Sequence, residues 1–228
     1  MTTQSIKITV DAIVIRYEKK KGISVLLVKR KYGPYQGKWA IPGGFVMNNE
    51  ALENAVLREL KEETGIDIET RYLEQLYTFG RPDRDPRERV VSVAYFVLVG
   101  PEKHQPVAGS DAGDVGWFDV KNTPLLAFDH KEILEVAINR LKSKVTYEPI
   151  GFELLEEKFP FSDLEDLYST LLDRDIDRRN FRKKILSFGM LDQLDEKVST
   201  GAGRPAHLFQ FNKAKYFQLK TKGIVFEV

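Results

Sequence analysis

The first hundred residues are dominated by short apolar runs separated by polar breaks. Residues 6–17 (IKITVDAIVIRY) and 23–29 (ISVLLVK) are rich in β-branched side chains, and the charged stretch 18–22 parts them; this pattern predicts two strands joined as a hairpin. Gly33, Pro34 and Gly37 mark a loop before Trp39, Ala40 and Ile41, and Pro42-Gly43-Gly44 marks a tight turn. Over residues 50–64 the period changes. Leu52, Val56 and Leu60 recur every four positions, which predicts a helix with one apolar face, and Gly65 stands where its C-cap belongs. Residues 73–79 and 90–99 predict two more strands flanking a charged turn, and residues 115–120 a short one. Residues 131–144 predict an amphipathic helix built on Ile133, Leu134, Ala137 and Leu141. Strands and two helices in this order predict an α+β unit with a mixed sheet sandwiched between helices.

The pattern breaks near Tyr147, and Pro149-Ile150-Gly151 suggests a hinge, so the chain is expected to divide into domains 1–147 and 148–228. In the second domain Ser162 reads as an N-cap, with Glu165 at the capping-box position of a helix ending at Leu172. A second helix is expected from Arg178 to Phe188, stopped by Gly189. Two short strands, 191–194 and 206–211, flank the glycine-rich tip Ser199-Thr200-Gly201-Ala202-Gly203 and predict a hairpin wing.

Composition narrows the chemistry. With 42% hydrophobic and 30% charged residues among 228, the chain has material for a real core. No apolar run is long enough to span a bilayer and no signal pattern opens the chain, so a cytoplasmic location without membrane association is expected. Cysteine is absent and the three histidines, His104, His130 and His207, are scattered. A metal would therefore be held by oxygen, which favours hard ions such as Mg²⁺ or Mn²⁺.

One helix carries the sharpest chemical signal. Glu59, Glu62 and Glu63 lie three and four positions apart, so their carboxylates share a helical face. Like charges so placed repel, and a divalent cation would resolve the conflict; Arg58 can pair with Glu50 and hold the cluster in register. Gly43 and Gly44 let the backbone approach a metal or a phosphate closely. An E-rich helix can equally be a solvated acidic face. Here, however, Gly44, Glu50, Arg58, Glu59, Leu60, Glu62, Glu63, Gly65 and Ile66 meet every fixed position of the Nudix signature. The chain thus resembles the Nudix superfamily. That resemblance implies Glu59 and Glu63 as principal metal ligands, Glu62 as a further ligand or base, and Glu62, Glu63 and Arg58 as catalytic residues. The reaction would be attack of water on a pyrophosphate phosphorus. The base can lie outside the signature, with Asp111, Asp114 and Glu88 as candidates.

Arg81, Arg84, Arg87 and Arg89 crowd the turn between the strands at 73–79 and 90–99. Four guanidinium groups there can meet a diphosphate or can simply hydrate a turn, and the segment resembles that of ADP-ribose-type Nudix proteins. With Gly43 and Gly44 they form the expected effector-binding set. Trp39, Phe79 and Tyr95 offer either rings to stack on a base or core packing, and Trp117 and Phe118 read as core.

The near-zero net charge of +1 hides an asymmetry: residues 174–222 hold twelve basic residues against five acidic ones. On the second helix Phe181, Ile185 and Phe188 would face inward, leaving Arg178, Arg179, Arg182 and Lys183 mainly outside. A cationic helix followed by a hairpin suits a winged helix-turn-helix, with Arg204 at the wing tip positioned for DNA; an accessory or dimerisation domain suits the charge pattern equally. Four further segments, LLAFDHKEIL (125–134), EPIGFELL (148–155), NFRKKI (180–185) and GRPAHLFQF (203–211), resemble the NrtR-type Nudix-related transcriptional regulators. This resemblance implies a homodimer that binds double-stranded operator DNA through Arg178, Arg179, Arg182, Lys183 and Arg204. Its Nudix domain would sense ADP-ribose or a sugar-derived ligand. Many such regulators have eroded signatures, whereas this one is complete, so it either hydrolyses the effector or holds it. A plain Nudix pyrophosphatase with a C-terminal dimerisation unit is the alternative.

Overall fold

The computed structural model describes residues 5–68, 72–101, 105–109, 112–199, 205–223 and 225–228. It divides into two compact units. One holds most of the chain up to Asn139; the other holds Arg140–Val228 together with Tyr17–Gly22.

The first unit is built on a seven-stranded sheet. Its strands are β1 (Lys7–Glu18), β2 (Gly22–Arg30), β3 (Trp39–Ala40), β4 (Gly43–Phe45), β5 (Tyr72–Phe79), β6 (Val90–Val99) and β7 (Ala112–Asp119). The order is β3-β2-β1-β6-β5, with β4 on β1 and β7 on β2. β1 and β6 pair in parallel from Lys7↔Val90 to Arg16↔Val99, and the pairs to β4, β5 and β7 are antiparallel, so the sheet is mixed. Val10, Ala12 and Val14 of β1 cluster with Val93, Tyr95 and Val97 of β6 and with Ala55, Val56 and Leu60 of helix α1 (Leu52–Thr64). Ile13 and Ile15, of opposite parity, are equally buried, so both faces of the strand are covered. Helix α2 (His130–Lys144) buries Ile133, Ala137 and Leu141. The aromatic side chains divide accordingly. Phe79 and Tyr95 are buried, Tyr95 donates its hydroxyl to Glu53 at 2.9 Å, and Trp39 packs edge-on to Phe118. These rings serve the core.

The second unit contains β8 (Lys158–Pro160), α3 (Phe161–Leu172), α4 (Arg178–Ser187), β9 (Leu191–Val198), β10 (Ala206–Phe211) and α5 (Lys213–Thr221). Its three strands are antiparallel in the order β8-β10-β9. Phe159, Phe161, Leu164, Tyr168, Phe181, Ile185 and Phe209 are buried, with Phe161 edge-on to Phe209 and Phe181. Two helices joined by a short turn and followed by a two-stranded ribbon form a winged helix-turn-helix.

Three local expectations change. The α3 N-cap is Pro160, extended at φ −71° and ψ 146°, and no side chain caps the helix. Proline's fixed φ suits an extended cap residue, so the helix starts at Phe161 and Ser162 falls inside the first turn. Glu165 is buried beside Arg178 rather than reaching back to the cap. The segment expected as a hinge, Pro149–Leu154, is a 3-10 turn with Pro149, Ile150, Gly151, Phe152 and Leu154 buried.

Candidate functional site

The signature residues converge where α1 faces β1 and β4. β4 pairs antiparallel with β1 in the register Asp11↔Gly43, Val10↔Gly44 and Thr9↔Phe45. A Cβ on Gly43 would meet the Val10 carbonyl oxygen at 2.1 Å, and one on Gly44 would meet the Glu59 carboxylate at 2.5 Å. Glycine is required at Gly43, where the clash is with backbone, whereas a side chain at Gly44 would displace the Glu59 carboxylate. At its other end α1 closes on Gly65, whose φ of 68° is left-handed and whose N–H donates to the Lys61 carbonyl.

Arg58 organises the carboxylates. Its guanidinium donates twice to Glu50 (2.7 and 2.8 Å), to Glu59 at 2.7 Å, to Glu62 at 3.1 Å and to the Phe45 carbonyl at 3.1 Å. The Glu50 contact, followed by those to Glu59 and Glu62, keeps Arg58 firmly cationic and pulls Glu50 below the usual carboxylate range. Glu63 turns inward instead and accepts from the Gly43 N–H at 3.0 Å. Burial, with the Glu59 charge beside it, outweighs that hydrogen bond and pushes Glu63 up to about 8. Burial also raises Glu59, against the pull of Arg58.

These two desolvated carboxylates suit a hard divalent cation in donor type and in their need for positive charge. Glu62 does not join them. It is 58% exposed and held by Arg58, and among the described residues no three His, Asp or Glu side chains converge on a metal-sized point. Glu62 thus stands apart from Glu59 and Glu63, exposed and paired to Arg58.

A cavity of about 540 Å³ opens in front of Glu59 and Glu63. Of the expected site residues, Gly43, Gly44, Arg58, Glu59, Glu63, Arg84 and Arg87 line it, while Glu62, Arg81 and Arg89 do not. Arg81 pairs with Glu132 at 3.0 Å, and Arg89 donates to the carbonyls of Arg81 and Val90. Arg87 is clamped by Asp85 and lies over the Phe45 and Phe128 rings at 5.4 and 5.8 Å. Arg84 is buried and forms a bidentate pair with Asp129 (2.8 and 2.9 Å). That guanidinium is committed to a structural carboxylate. Of the candidate bases, Asp114 accepts from the N–H of the adjacent Val115, Glu88 is exposed, and Asp111 lies outside the described residues.

The cavity also uses residues that the sequence pattern does not single out. Arg30 donates to the carbonyls of Pro34 (2.8 Å) and Tyr32 (3.4 Å) and lies 4.9 Å over the Phe128 ring. Burial and then Arg87 lower its pKa, while Glu63 opposes them. Asp11 accepts from the Ser92 hydroxyl and sits 3.5 Å from Arg84 and 3.6 Å from His130 Nε2. His130 Nδ1 accepts from the Ile41 N–H at 2.8 Å, so the ring's proton is on Nε2, and burial keeps it neutral by lowering its pKa. A lone carboxylate in the apolar run IKITVDAIVI is the one sequence signal for this network, since a buried charge needs partners. Nothing local marks Arg30, and Phe128 and His130 stand out only as members of the segment LLAFDHKEIL.

The second candidate surface is α4. Asp177 caps it by accepting from the Asn180 N–H at 3.0 Å, and Phe181 and Ile185 are its buried residues. Arg178, Arg179, Arg182, Lys183 and Lys184 are exposed. Arg178 pairs with Asp166 at 2.9 Å and Glu165 at 3.5 Å. Arg182 lies 4.3 Å over the Phe161 ring. Arg204 lies outside the described residues.

Comparison with known proteins matches both regions. The NUDIX domain model matches residues 7–137, and the model described as the NrtR DNA-binding winged helix domain matches residues 151–211. The chain is 31% identical over 213 residues to the ADPR responsive transcriptional repressor NtrR of Acinetobacter baylyi, covering 91% of this chain and 83% of that one. It is 42% identical over 129 residues to an ADP-ribose pyrophosphatase of Methanocaldococcus jannaschii, covering 56% of this chain and 70% of that one. The structure of Shewanella oneidensis NrtR complexed with a 27mer DNA superposes with a TM-score of 0.79 at 34% identity, covering 96% and 97% of the two chains.

Proposed function

Because the chain belongs to the Nudix family and carries an NrtR-type winged helix domain behind the Nudix domain, we propose that it is a DNA-binding transcriptional regulator whose Nudix domain binds ADP-ribose. The observation that carries the effector half is the cavity's mixed charge. Carboxylates of Glu59 and Glu63 and guanidinium groups of Arg30 and Arg87 face one space of about 540 Å³. A diphosphate ester accompanied by a divalent cation satisfies both sets at once, with phosphate oxygens on the guanidiniums and the cation on the carboxylates. Phe45 and Phe128 add aromatic surface for the base or ribose. Gly43 and Gly44 keep the backbone close to the ligand, and Arg84 acts by holding the 81–89 turn through Asp129.

Glu59 and Glu63 would hold Mg²⁺ or Mn²⁺, which when bound supplies charge that polarises phosphoryl oxygens. Arg58 fixes Glu59, and the Gly43 N–H orients Glu63. The basic face of α4, with Arg204 on the wing, binds operator DNA; the regulator works as a homodimer in the cytoplasm. The effector changes DNA affinity by favouring one of two arrangements of the protein, so its differential affinity for them sets the size of the response.

The test is fluorescence anisotropy of a duplex from the region upstream of the chain's own operon, with and without ADP-ribose. The expected result is salt-sensitive binding that ADP-ribose weakens by tenfold or more. No DNA binding at low salt would refute the regulatory reading. A second reading, hydrolysis of the same ligand, is favoured by the complete signature and the likeness to a pyrophosphatase. Turnover of ADP-ribose with Mg²⁺ no faster in the wild type than in Glu63→Gln would leave a sensor alone.

A further inference from the structure

The five exposed cations of α4 are not equivalent. At about 100° per residue, Arg179 and Lys183 each lie about 160° around the helix from buried Phe181, one turn apart on the outermost face. Neither forms an ion pair or ring contact among the described residues. Lys184 lies about 60° from Phe181 on one flank, beside Asn180 and Ser187. It is exposed and its ammonium is equally unclaimed among the described residues.

The other flank is different. Arg178, about 60° round the other way, spends its guanidinium on Asp166 and Glu165 of α3. Glu165 is itself buried, so this contact ties the first turn of α4 to the helix behind it. Arg182 comes one turn later on that flank. Its guanidinium lies 4.3 Å over Phe161 at the start of α3 and 5.5 Å from Phe209 of β10, joining α4 to both neighbours by cation–π contact.

We propose that these cations divide by role: Arg179, Lys183 and Lys184 contact duplex DNA, whereas Arg178 and Arg182 are positioning residues that set α4 against α3 and the wing strand. The assignment rests on the DNA-binding reading above and sharpens it. Arg179 and Lys183, at the apex, enter the major groove and read base edges. Lys184, on the open flank, meets a phosphate. The opposite flank presents an Arg178 already neutralised by two carboxylates.

Phosphate contacts have a signature that positioning residues lack. Each one lost reduces the slope of log K against log salt by about 0.9, while a lost base contact narrows the gap between specific and non-specific binding. The full-length protein would be used to select a duplex from a randomised pool, and binding measured to that duplex and to a scrambled one over a salt series. Lys184→Ala should weaken both about equally and reduce the slope by about 0.9. Arg179→Ala and Lys183→Ala should each reduce the selected-to-scrambled ratio about tenfold or more. Arg178→Met should lower the thermal midpoint yet leave slope and ratio unchanged.

Asp166→Asn supplies a test that does not depend on folding. It removes the nearer of the two carboxylates and leaves Arg178 only Glu165 at 3.5 Å, so a DNA-contacting Arg178 would raise the slope by about 0.9, whereas a positioning Arg178 leaves the slope unchanged. A rise there, a reduced slope in Arg178→Met, or an unchanged slope in Lys184→Ala would overturn the assignment. Failure to select any duplex would refute the DNA-binding reading itself, a result distinguishable from a wrong division of roles.

Discussion

Glu63 is the residue in which function and stability conflict most directly. Burial holds its folded pKa near 8, above the 4.5 of an ordinary glutamate. The folded protein therefore binds a proton that the unfolded chain releases between those values, and stability falls as pH rises from about 4.5 through about 8. Glu63→Gln removes the conflict. It should stabilise the ligand-free protein at pH 9 by about 1–3 kcal/mol and have little effect at pH 4.5, as measured by urea titration, while abolishing metal-dependent ADP-ribose binding. His130 works in the opposite direction. Its pKa is lowered by burial, so the unfolded chain binds the proton more readily and stability falls as pH drops below 6.5. His130→Asn keeps an acceptor for the Ile41 N–H and should flatten that acid-side loss relative to wild type. Arg84 belongs to stability rather than to the ligand. Arg84→Met strands Asp129 in the interior and should cost about 3–5 kcal/mol, whereas Arg84→Met with Asp129→Leu should recover much of it. A full loss of ADP-ribose affinity in Arg84→Met with unchanged stability would contradict this account.

Elements show how local rules are kept or displaced. α4 is short, ten residues, and its burial rests on Phe181 and Ile185 alone. Its cap therefore matters: Asp177→Ala should cost about 0.5–2 kcal/mol by freeing the Asn180 N–H, and the loss should appear as weaker DNA binding before global unfolding. α3 begins without a side-chain cap after Pro160, whose fixed φ presets the extended entry. β9 is polar and partly acidic, with Glu196 paired to Lys158, Asp192 held by Lys215 and Asn212, and Asp195 exposed. Asp195→Asn should strengthen DNA binding modestly at low salt and lose that effect at high salt if β9 lies near phosphates, as anisotropy over a salt series would show.

At the scale of the whole molecule, the two compact units part within α2, after Asn139, rather than in a loose segment near residue 148. The stretch 140–147 therefore belongs to the second, C-terminal unit. Val145 is fully buried, and the Val228 N–H donates to the Thr146 carbonyl at 2.8 Å. A fragment beginning at Arg140 should thus melt at higher temperature than one beginning at Glu148, because the shorter piece loses a buried valine and a backbone partner; circular dichroism melts of the two decide it. α2 starts at His130, beside the cavity, and continues to Lys144. Among the described residues no helix is long and apolar enough to cross a membrane.

Strand and helix periods, the glycine turn and the spacing of Gly44, Glu50, Arg58, Glu59, Glu62 and Glu63 were determined by the sequence, because period and spacing are local properties of the chain. The same holds for the cationic helix and its buried Phe181 and Ile185. The partners of each charge were decided only by the tertiary structure. Arg84 faces Asp129 forty-five residues away, Asp11 meets Ser92 across two strands, and Arg178 is claimed by α3. Electrostatic and hydrogen-bond energies depend on distance and burial rather than on sequence separation, so a guanidinium that looks free in a turn or on a helix can prove to be spent. The signature glutamates show both sides. Their shared helical face is written in the spacing, but the division into an inward Glu63 and an outward, arginine-held Glu62 comes from the groups that the fold places around them.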